Sequence, residues 1–195
     1  MGRRGFTLIE VMMATAVFAI VMATIFSMSL GFANSAQVQD IKITTTDEAR
    51  RALMILTPRL RQSARTTINW ADLPGDSITF RMAIDASGNG SAVDAAGDVE
   101  LSGPITITRD ADDVNEDGVG MTQLVMIDEE EVRVLANNLM PGPVPQNPGA
   151  EMPDNVGFWV RPRNNGLEVT VRAMGRTVRG QEFSTEITEF IVPRN

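Results

Sequence analysis

The sequence predicts an α+β protein in which one long N-terminal helix packs against an antiparallel β-sheet. Two observations carry this prediction. Up to about residue 65, apolar residues form a long run and then recur every three or four positions, as in a helix with one buried face. From residue 75 they alternate with polar residues, as in half-buried strands, and no second helical pattern follows.

Residues 6–33 are long and apolar enough to cross a membrane. At about 1.5 Å per helical residue, the segment measures roughly 42 Å, more than the ~30 Å hydrocarbon core of a bilayer. Arg3 and Arg4 lie directly before it. Because basic residues stay on the cytoplasmic side, we expect a cytoplasmic N-terminus and export of residues 34–195.

Glu10 interrupts this apolar segment with a carboxylate, and a charge inside a membrane helix usually has a partner. No Lys, Arg or His lies in residues 5–41. The one cation that can arise nearby is a new α-amine, produced by cutting the chain between Gly5 and Phe6.

Residues 5–11, Gly-Phe-Thr-Leu-Ile-Glu-Val after a short basic leader, resemble the processing motif of type IV pilins and type II secretion pseudopilins. In that family, prepilin peptidase cuts after the glycine and methylates the new N-terminal residue, and the glutamate assists methylation and filament assembly. The resemblance therefore implies cleavage after Gly5, N-methylation of Phe6 and an assembly role for Glu10. The partners it implies are prepilin peptidase, other pilin-like subunits and the inner-membrane assembly platform.

A second, weaker resemblance concerns the position of the chain within that superfamily. Glu48–Ala64, rich in leucine and arginine, is similar to a segment of J-type minor pseudopilins and W-type minor pilins, and it also fits an ordinary amphipathic helix. The large domain without a disulfide, and Ser27 where many major pilins carry proline, favour a minor subunit. The implied location is the inner membrane, with a periplasmic domain, and the filament after assembly.

Two alternatives to a secretion pseudopilin remain open on the sequence, and a third is disfavoured. The disfavoured one is an ordinary secretory signal cleaved near Gly31-Phe32-Ala33, because the apolar segment is long for such a signal and Glu10 would have no purpose inside it. Within the pilin superfamily, the chain also fits a DNA-uptake or adhesive pilus. Outside it, the alternative is a membrane-anchored calcium-binding adhesin or an exported enzyme whose leader only imitates the motif.

Composition limits the chemistry that the chain can perform. It contains no His, Cys or Tyr, which removes the usual general base, thiolate nucleophiles and most zinc sites. Carboxylate pairs remain available, but nothing in the sequence marks a pocket for them, so we expect a structural protein and no enzyme. The 17 Lys and Arg against 25 Asp and Glu give a formal net charge of −8, so we expect no nucleic-acid partner.

The predicted organisation is a leader over 1–5, a transmembrane helix over 6–33, an amphipathic continuation over 34–66 and an exported β-rich domain over 67–195. The continuation has one apolar face, composed of Val38, Ile41, Thr45, Ala49, Ala52, Leu56 and Leu60. The β-branched run at 43–46 and the Thr57-Pro58 pair each predict a possible break or kink.

The alternating pattern predicts strands over 78–82, 99–109 with an interruption at Ser102-Gly103-Pro104, 123–127, 132–135, 156–161, 167–173 and 183–192. Acidic residues 128–131 form the tip of one predicted hairpin, and Asn164-Asn165-Gly166 forms the turn of another, with Asn-Gly supplying positive φ. Residues 137–155, which contain five prolines, are expected to be an irregular crossover or a proline-rich recognition segment.

The acidic stretch 110–118 is the one candidate metal site. Asp113, Asn115 and Asp117 at alternate positions, followed by a glycine, reproduce the start of a calcium loop. Leu124 occupies the position where a bidentate carboxylate is expected, so Asp110 or one of residues 128–131 would have to replace it. The alternative is a solvated acidic turn between two strands.

Overall fold

The computed structural model describes residues 7–129, 131–142 and 151–194, and it confirms the α+β prediction. The chain forms two compact units, Met1–Asp40 and Ile41–Asn195. Helix α1 spans Leu8–Gln62 and is followed by 3₁₀ turns at Arg65–Thr67 and Trp70–Asp72. The strands are β1 (Ser77–Phe80), β2 (Ile105–Arg109), β3 (Leu124–Asp128), β4 (Glu131–Ala136), β5 (Phe158–Arg163), β6 (Gly166–Arg176) and β7 (Glu182–Ile191).

In the second unit, α1 buries the face that the sequence predicts. Its buried residues are Thr45, Ala49, Ala52, Leu53, Leu56, Thr57 and Leu60. Five of them belong to the predicted apolar face, and Ile41 of that face is half-buried. Val38, the remaining residue of the predicted face, is also half-buried and belongs to the first unit. The helix ends at Gln62, before the predicted end of its amphipathic part at residue 66.

Neither of the two possible breaks interrupts α1. The hydroxyls of Thr45 and Thr46 donate to the carbonyl of Lys42 at 3.1 and 2.7 Å, so these β-branched residues are accommodated within the helix. Pro58 also lies inside the helix, between the buried residues Leu56 and Leu60. Packing on the sheets favours the helical conformation here over the local preference for a break.

The first sheet is antiparallel, with strand order β1-β2-β3-β4. Its β3–β4 hairpin is the predicted one, and Asp128 pairs with Glu131 at its tip. The predicted strand at 99–101 is wrong, because Val99 and Leu101 form only isolated bridges, to Val93 and Ala83. Regular pairing begins at Ile105, after the predicted interruption at Pro104.

The second sheet is antiparallel, with order β5-β6-β7. Its hairpin is confirmed, but the turn lies one residue earlier than predicted: Arg163 pairs with Gly166, and Asn164 adopts the positive φ of 52°. Gly166 does not supply the positive φ but lies close to the end of β7. A Cβ at this position would lie 2.5 Å from the carbonyl oxygen of Ile191.

Strand β7 directs the predicted face inwards, towards α1. Ile191 is buried, and Phe183, Thr185, Ile187 and Glu189 are half-buried at alternate positions. The Thr185 hydroxyl lies 3.0 Å from that of Thr45, and Glu189 accepts a 2.8 Å hydrogen bond from the Thr57 hydroxyl. The β7 strand is therefore joined to the helix by polar contacts as well as by apolar packing.

One hydrophobic cluster joins the C-terminal part of α1, from Ala49 to Leu60, to both sheets. Its members include Leu56 and Leu60 from the helix, Phe80 and Ile107 from the first sheet, and Val169 from the second.

The proline-rich segment predicted at 137–155 is described only in part. Leu139 and Pro141 form isolated bridges to Ala173 and Val156, while 143–150 lie outside the described residues.

Candidate functional site

The predicted processing site lies at the start of the chain. Gly5 and Phe6 are outside the described residues, so the geometry begins at Thr7. The Thr7 backbone N–H and hydroxyl both donate to Oε2 of Glu10, at 2.9 and 3.0 Å. The backbone N–H of Glu10 in turn donates to the Thr7 hydroxyl at 3.4 Å. This reciprocal arrangement is a capping box at the N-terminus of α1.

The capping box gives Glu10 a local partner besides the cation expected from the sequence. The pattern Thr-x-x-Glu at a helix start, in residues 7–10, is the local signal for it. The hydrogen bonds turn the Glu10 carboxylate back towards the helix start. It therefore lies beside the backbone N–H of Thr7, one residue after Phe6.

The helix surface that follows Glu10 is apolar and exposed. Side chains on all sides of the helix are open, among them Phe18, Phe26 and Phe32 at 61, 68 and 63% exposure. In the described part of the chain, α1 is the one helix that is long and apolar enough to cross a membrane. A helix that is apolar all round requires lipid or other helices as its surroundings.

The acidic loop brings its predicted ligands into one turn. Asp113 accepts hydrogen bonds from the backbone N–H groups of Asp117 and Gly118, at 3.1 and 3.1–3.2 Å. Asp117 accepts from the side-chain amides of Gln123 and Asn115 and from the N–H of Val119, at 2.8–3.1 Å. The hydrogen bond from the Gln123 side chain contributes most to holding the pKa of Asp117 below its ordinary value.

The donors around these carboxylates fit a hydrogen-bonded turn better than a calcium site. Two amide NH₂ groups point at Oδ2 of Asp117, where a cation would require bare oxygen ligands. Leu124 is fully buried in β3 and supplies no ligand. In the described residues, no group of three or more His, Cys, Asp or Glu side chains is placed to hold a metal ion.

Asp110, one of the candidate remote ligands, is fully buried beside this loop. Its Oδ1 accepts from the N–H of Val114 at 2.7 Å, and its Oδ2 has no hydrogen-bond partner among the described residues. Gln123 was missed in the sequence, since a single glutamine in a strand pattern carries no local indication of its role. Its amide joins Asp117 to the side chain of Asn137, at 2.9 Å each.

Comparison with protein families gives one match, the prokaryotic N-terminal methylation motif, over residues 1–26. The match covers the leader, the predicted cleavage site and Glu10. Comparisons with curated proteins and with solved structures return no match.

The motif, placed at the head of a long apolar helix that continues into a β-rich domain, supports the type IV pilin and pseudopilin family. The motif implies processing by prepilin peptidase and assembly with other pilin-like subunits. Its apolar N-terminal helix points to anchoring in the inner membrane.

Proposed function

We propose that the protein is a minor subunit of a type II secretion pseudopilus or of a type IV pilus. The observation that carries the proposal is the methylation motif over 1–26, together with Glu10 at the start of an exposed apolar helix. The precursor is inserted with its N-terminus in the cytoplasm and residues 34–195 outside. Cleavage after Gly5 then exposes Phe6 for methylation.

The physical basis of assembly is the packing of apolar helices. The exposed side chains of residues 7–33 lose contact with lipid only by packing against equivalent helices of other subunits. A carboxylate in such surroundings is costly unless it is paired. Glu10 pairs with the methylated amine of a neighbouring subunit, and a subunit in the wrong register leaves this charge unpaired and is disfavoured.

The proposed minor role rests on the exported unit. Its face at Glu48–Ala64 resembles a segment of J-type minor pseudopilins and W-type minor pilins, and Ala49, Ala52, Leu56 and Leu60 of this segment are buried against the subunit's own sheets. The arginines Arg50 and Arg51 of the same segment remain exposed. They are available to neighbouring subunits, as a specialised position in the filament requires.

Processing is tested by intact mass and N-terminal sequencing of the full chain, expressed with and without a prepilin peptidase. We expect a mature chain that begins at N-methylated Phe6 only when the peptidase is present. Gly5→Val should block cleavage, because the peptidase acts after this glycine, whereas Gly2→Val, a matched change in the same leader, should be cut normally.

Two results would contradict the proposal. A chain that begins near Asn34 would indicate an ordinary secretory signal. A chain left uncut in native membranes that contain the peptidase would indicate a plain membrane anchor. If processing occurs as expected, co-purification with other pilin-like subunits and with a secretin or an assembly ATPase identifies the machine.

A further inference from the structure

A groove of about 800 Å³ lies at the end of α1, on the exported unit. One wall is formed by the segment that follows the helix, including Arg65 and Trp70. The other wall is formed by residues 83–101, with Val93, Val99 and Leu101 facing the groove. The volume lies in the range of ligand-binding clefts in proteins.

The second wall keeps its apolar side chains open to solvent. Val93, Val99 and Leu101 are 39, 53 and 36% exposed. The backbone of this wall is held in place by its own carboxylates, since Asp94 accepts from the N–H groups of Ala96 and Asp98 at 2.8 and 2.9 Å. These exposed apolar side chains are therefore presented on an ordered surface.

Arg194 lies next to the first wall, and both Arg65 and Arg194 line the groove. Ala64 bridges Arg194, and the N–H of Arg65 donates to the carbonyl of Arg194 at 3.0 Å. The Arg65 guanidinium lies 5.6 Å from the centre of the Trp70 ring, whose indole N–H donates to the Arg65 carbonyl at 3.1 Å. Neither guanidinium forms a salt bridge with a described residue.

Two polar side chains at the groove suit a peptide backbone. The Gln62 amide is exposed and makes no side-chain hydrogen bond within the described residues. The Ser91 hydroxyl accepts from the N–H of Val93 at 3.2 Å and keeps its own proton to donate. Arginine pairs favour carboxylates, and the apolar wall favours aliphatic or aromatic side chains.

We propose that this groove binds a peptide segment of another protein in which an apolar side chain stands next to an aspartate or glutamate. The carboxylate pairs with Arg65 and Arg194, which form a basic spot on a chain of formal net charge −8. The apolar side chain covers Val93, Val99 and Leu101. Binding at this surface is separate from assembly through the N-terminal helix.

The test uses the full chain in nanodiscs and a fluorescein-labelled heptapeptide of alternating leucine and glutamate. We expect saturable binding by fluorescence anisotropy and none to empty nanodiscs. The double variant Arg65→Gln with Arg194→Gln should weaken binding about tenfold, the loss expected for two exposed charge pairs, and raised salt should weaken it as well. Val99→Ser should weaken it through the apolar contact.

Matched controls are Arg179→Gln and Val178→Ser, two exposed residues of the turn after β6, and both should leave binding unchanged. The proposal is overturned if the peptide does not saturate the protein, or if a leucine–glutamine peptide binds equally well. It is also overturned if laurate binds at the groove and the peptide does not, which would indicate a lipid site. Self-association in nanodiscs that requires both arginines would identify a second copy as the occupant and overturn a foreign partner.

Discussion

At the scale of single residues, Glu10 combines two roles that substitution can separate. Its carboxylate caps α1 through Thr7, and its charge is proposed to pair with a neighbouring subunit. A glutamine keeps the acceptor oxygen needed for the capping box but carries no charge. The two roles therefore predict different results for glutamine and for alanine at this position.

We expect Glu10→Gln to keep the helix start but to lower assembly into filaments well below the wild-type level. Glu10→Ala should lose both assembly and the ordered helix start. The measurement is the amount of subunit recovered in sheared filaments or by crosslinking, normalised to membrane-inserted subunit. Thr24→Val is the control, since the Thr24 hydroxyl donates to the carbonyl of Ile20 in its own helix. Wild-type assembly of Glu10→Gln would refute the charge-pairing role.

Glu168 on β6 is a buried carboxylate, 8% exposed, held by Arg161 and Arg163 of β5. Burial acts to raise the pKa of Glu168, but the hydrogen bonds from Arg163 and Arg161 outweigh it and hold the pKa below its ordinary value. A carboxylate with a lowered folded-state pKa stabilises the protein above its unfolded-state pKa. This stabilisation is lost as the pH falls from the ordinary glutamate value through the lower folded-state pKa.

Glu168→Gln should lower the free energy of unfolding at pH 7 by about 1–3 kcal/mol, towards the lower end because Arg163 is 60% exposed. The difference from wild type should shrink as the pH falls below about 4. Urea denaturation of the full chain in detergent at several pH values measures the loss at pH 7 and its decrease at lower pH. Glu131→Gln, in an exposed pair with Arg133, should have little effect. If the difference in unfolding free energy between Glu168→Gln and wild type stayed constant from pH 7 to pH 3, it would contradict a lowered pKa of Glu168 in the folded protein.

At the scale of elements, α1 is held to the sheets by one face. Leu56 is fully buried in the core, whereas Met54 on the same turn is 76% exposed. We expect Leu56→Ala to cost about 2–5 kcal/mol of stability because it leaves a cavity, and Met54→Ala to change stability by less than about 0.5 kcal/mol. Chemical denaturation of both variants tests this, and equal losses would mean that a different face packs on the sheets.

The acidic loop makes a second prediction at this scale. Because Asp117 already accepts three hydrogen bonds within the loop, we expect Asp113→Ala and Asp117→Ala to lower the melting temperature by the same amount with and without calcium. Thermal melts with millimolar calcium or with a chelator measure this, and Asp112→Ala, an exposed neighbour, is the control. Calcium that stabilises the wild type but neither variant would establish the calcium site that the sequence pattern predicts.

At the scale of the whole molecule, every residue of the hydrophobic cluster belongs to the unit Ile41–Asn195. A chain of residues 41–195 should therefore be soluble and unfold cooperatively, as measured by circular dichroism and urea titration. A chain that begins at Pro58 lacks Ala49, Ala52, Leu53 and Leu56 and should not fold. A shorter chain that unfolds like the longer one would show that the helix adds nothing to the core.

The sequence by itself determined the features that short segments encode. The helical and alternating periods predicted α1, its buried face and most strands, because each depends on neighbours a few positions apart. The motif at residues 5–11 predicted the class of protein for the same reason. The Thr7–Glu10 capping box was equally local and could have been predicted.

Only the tertiary structure decided the features that join distant segments. It showed the division into two sheets, the contact of Thr57 with Glu189, 132 positions away, and the continuity of α1 through Pro58. The groove likewise combines residues near 65, near 95 and at 194. Side chains so far apart in the chain meet only after strand order and register are fixed, and no local period in the sequence specifies that arrangement.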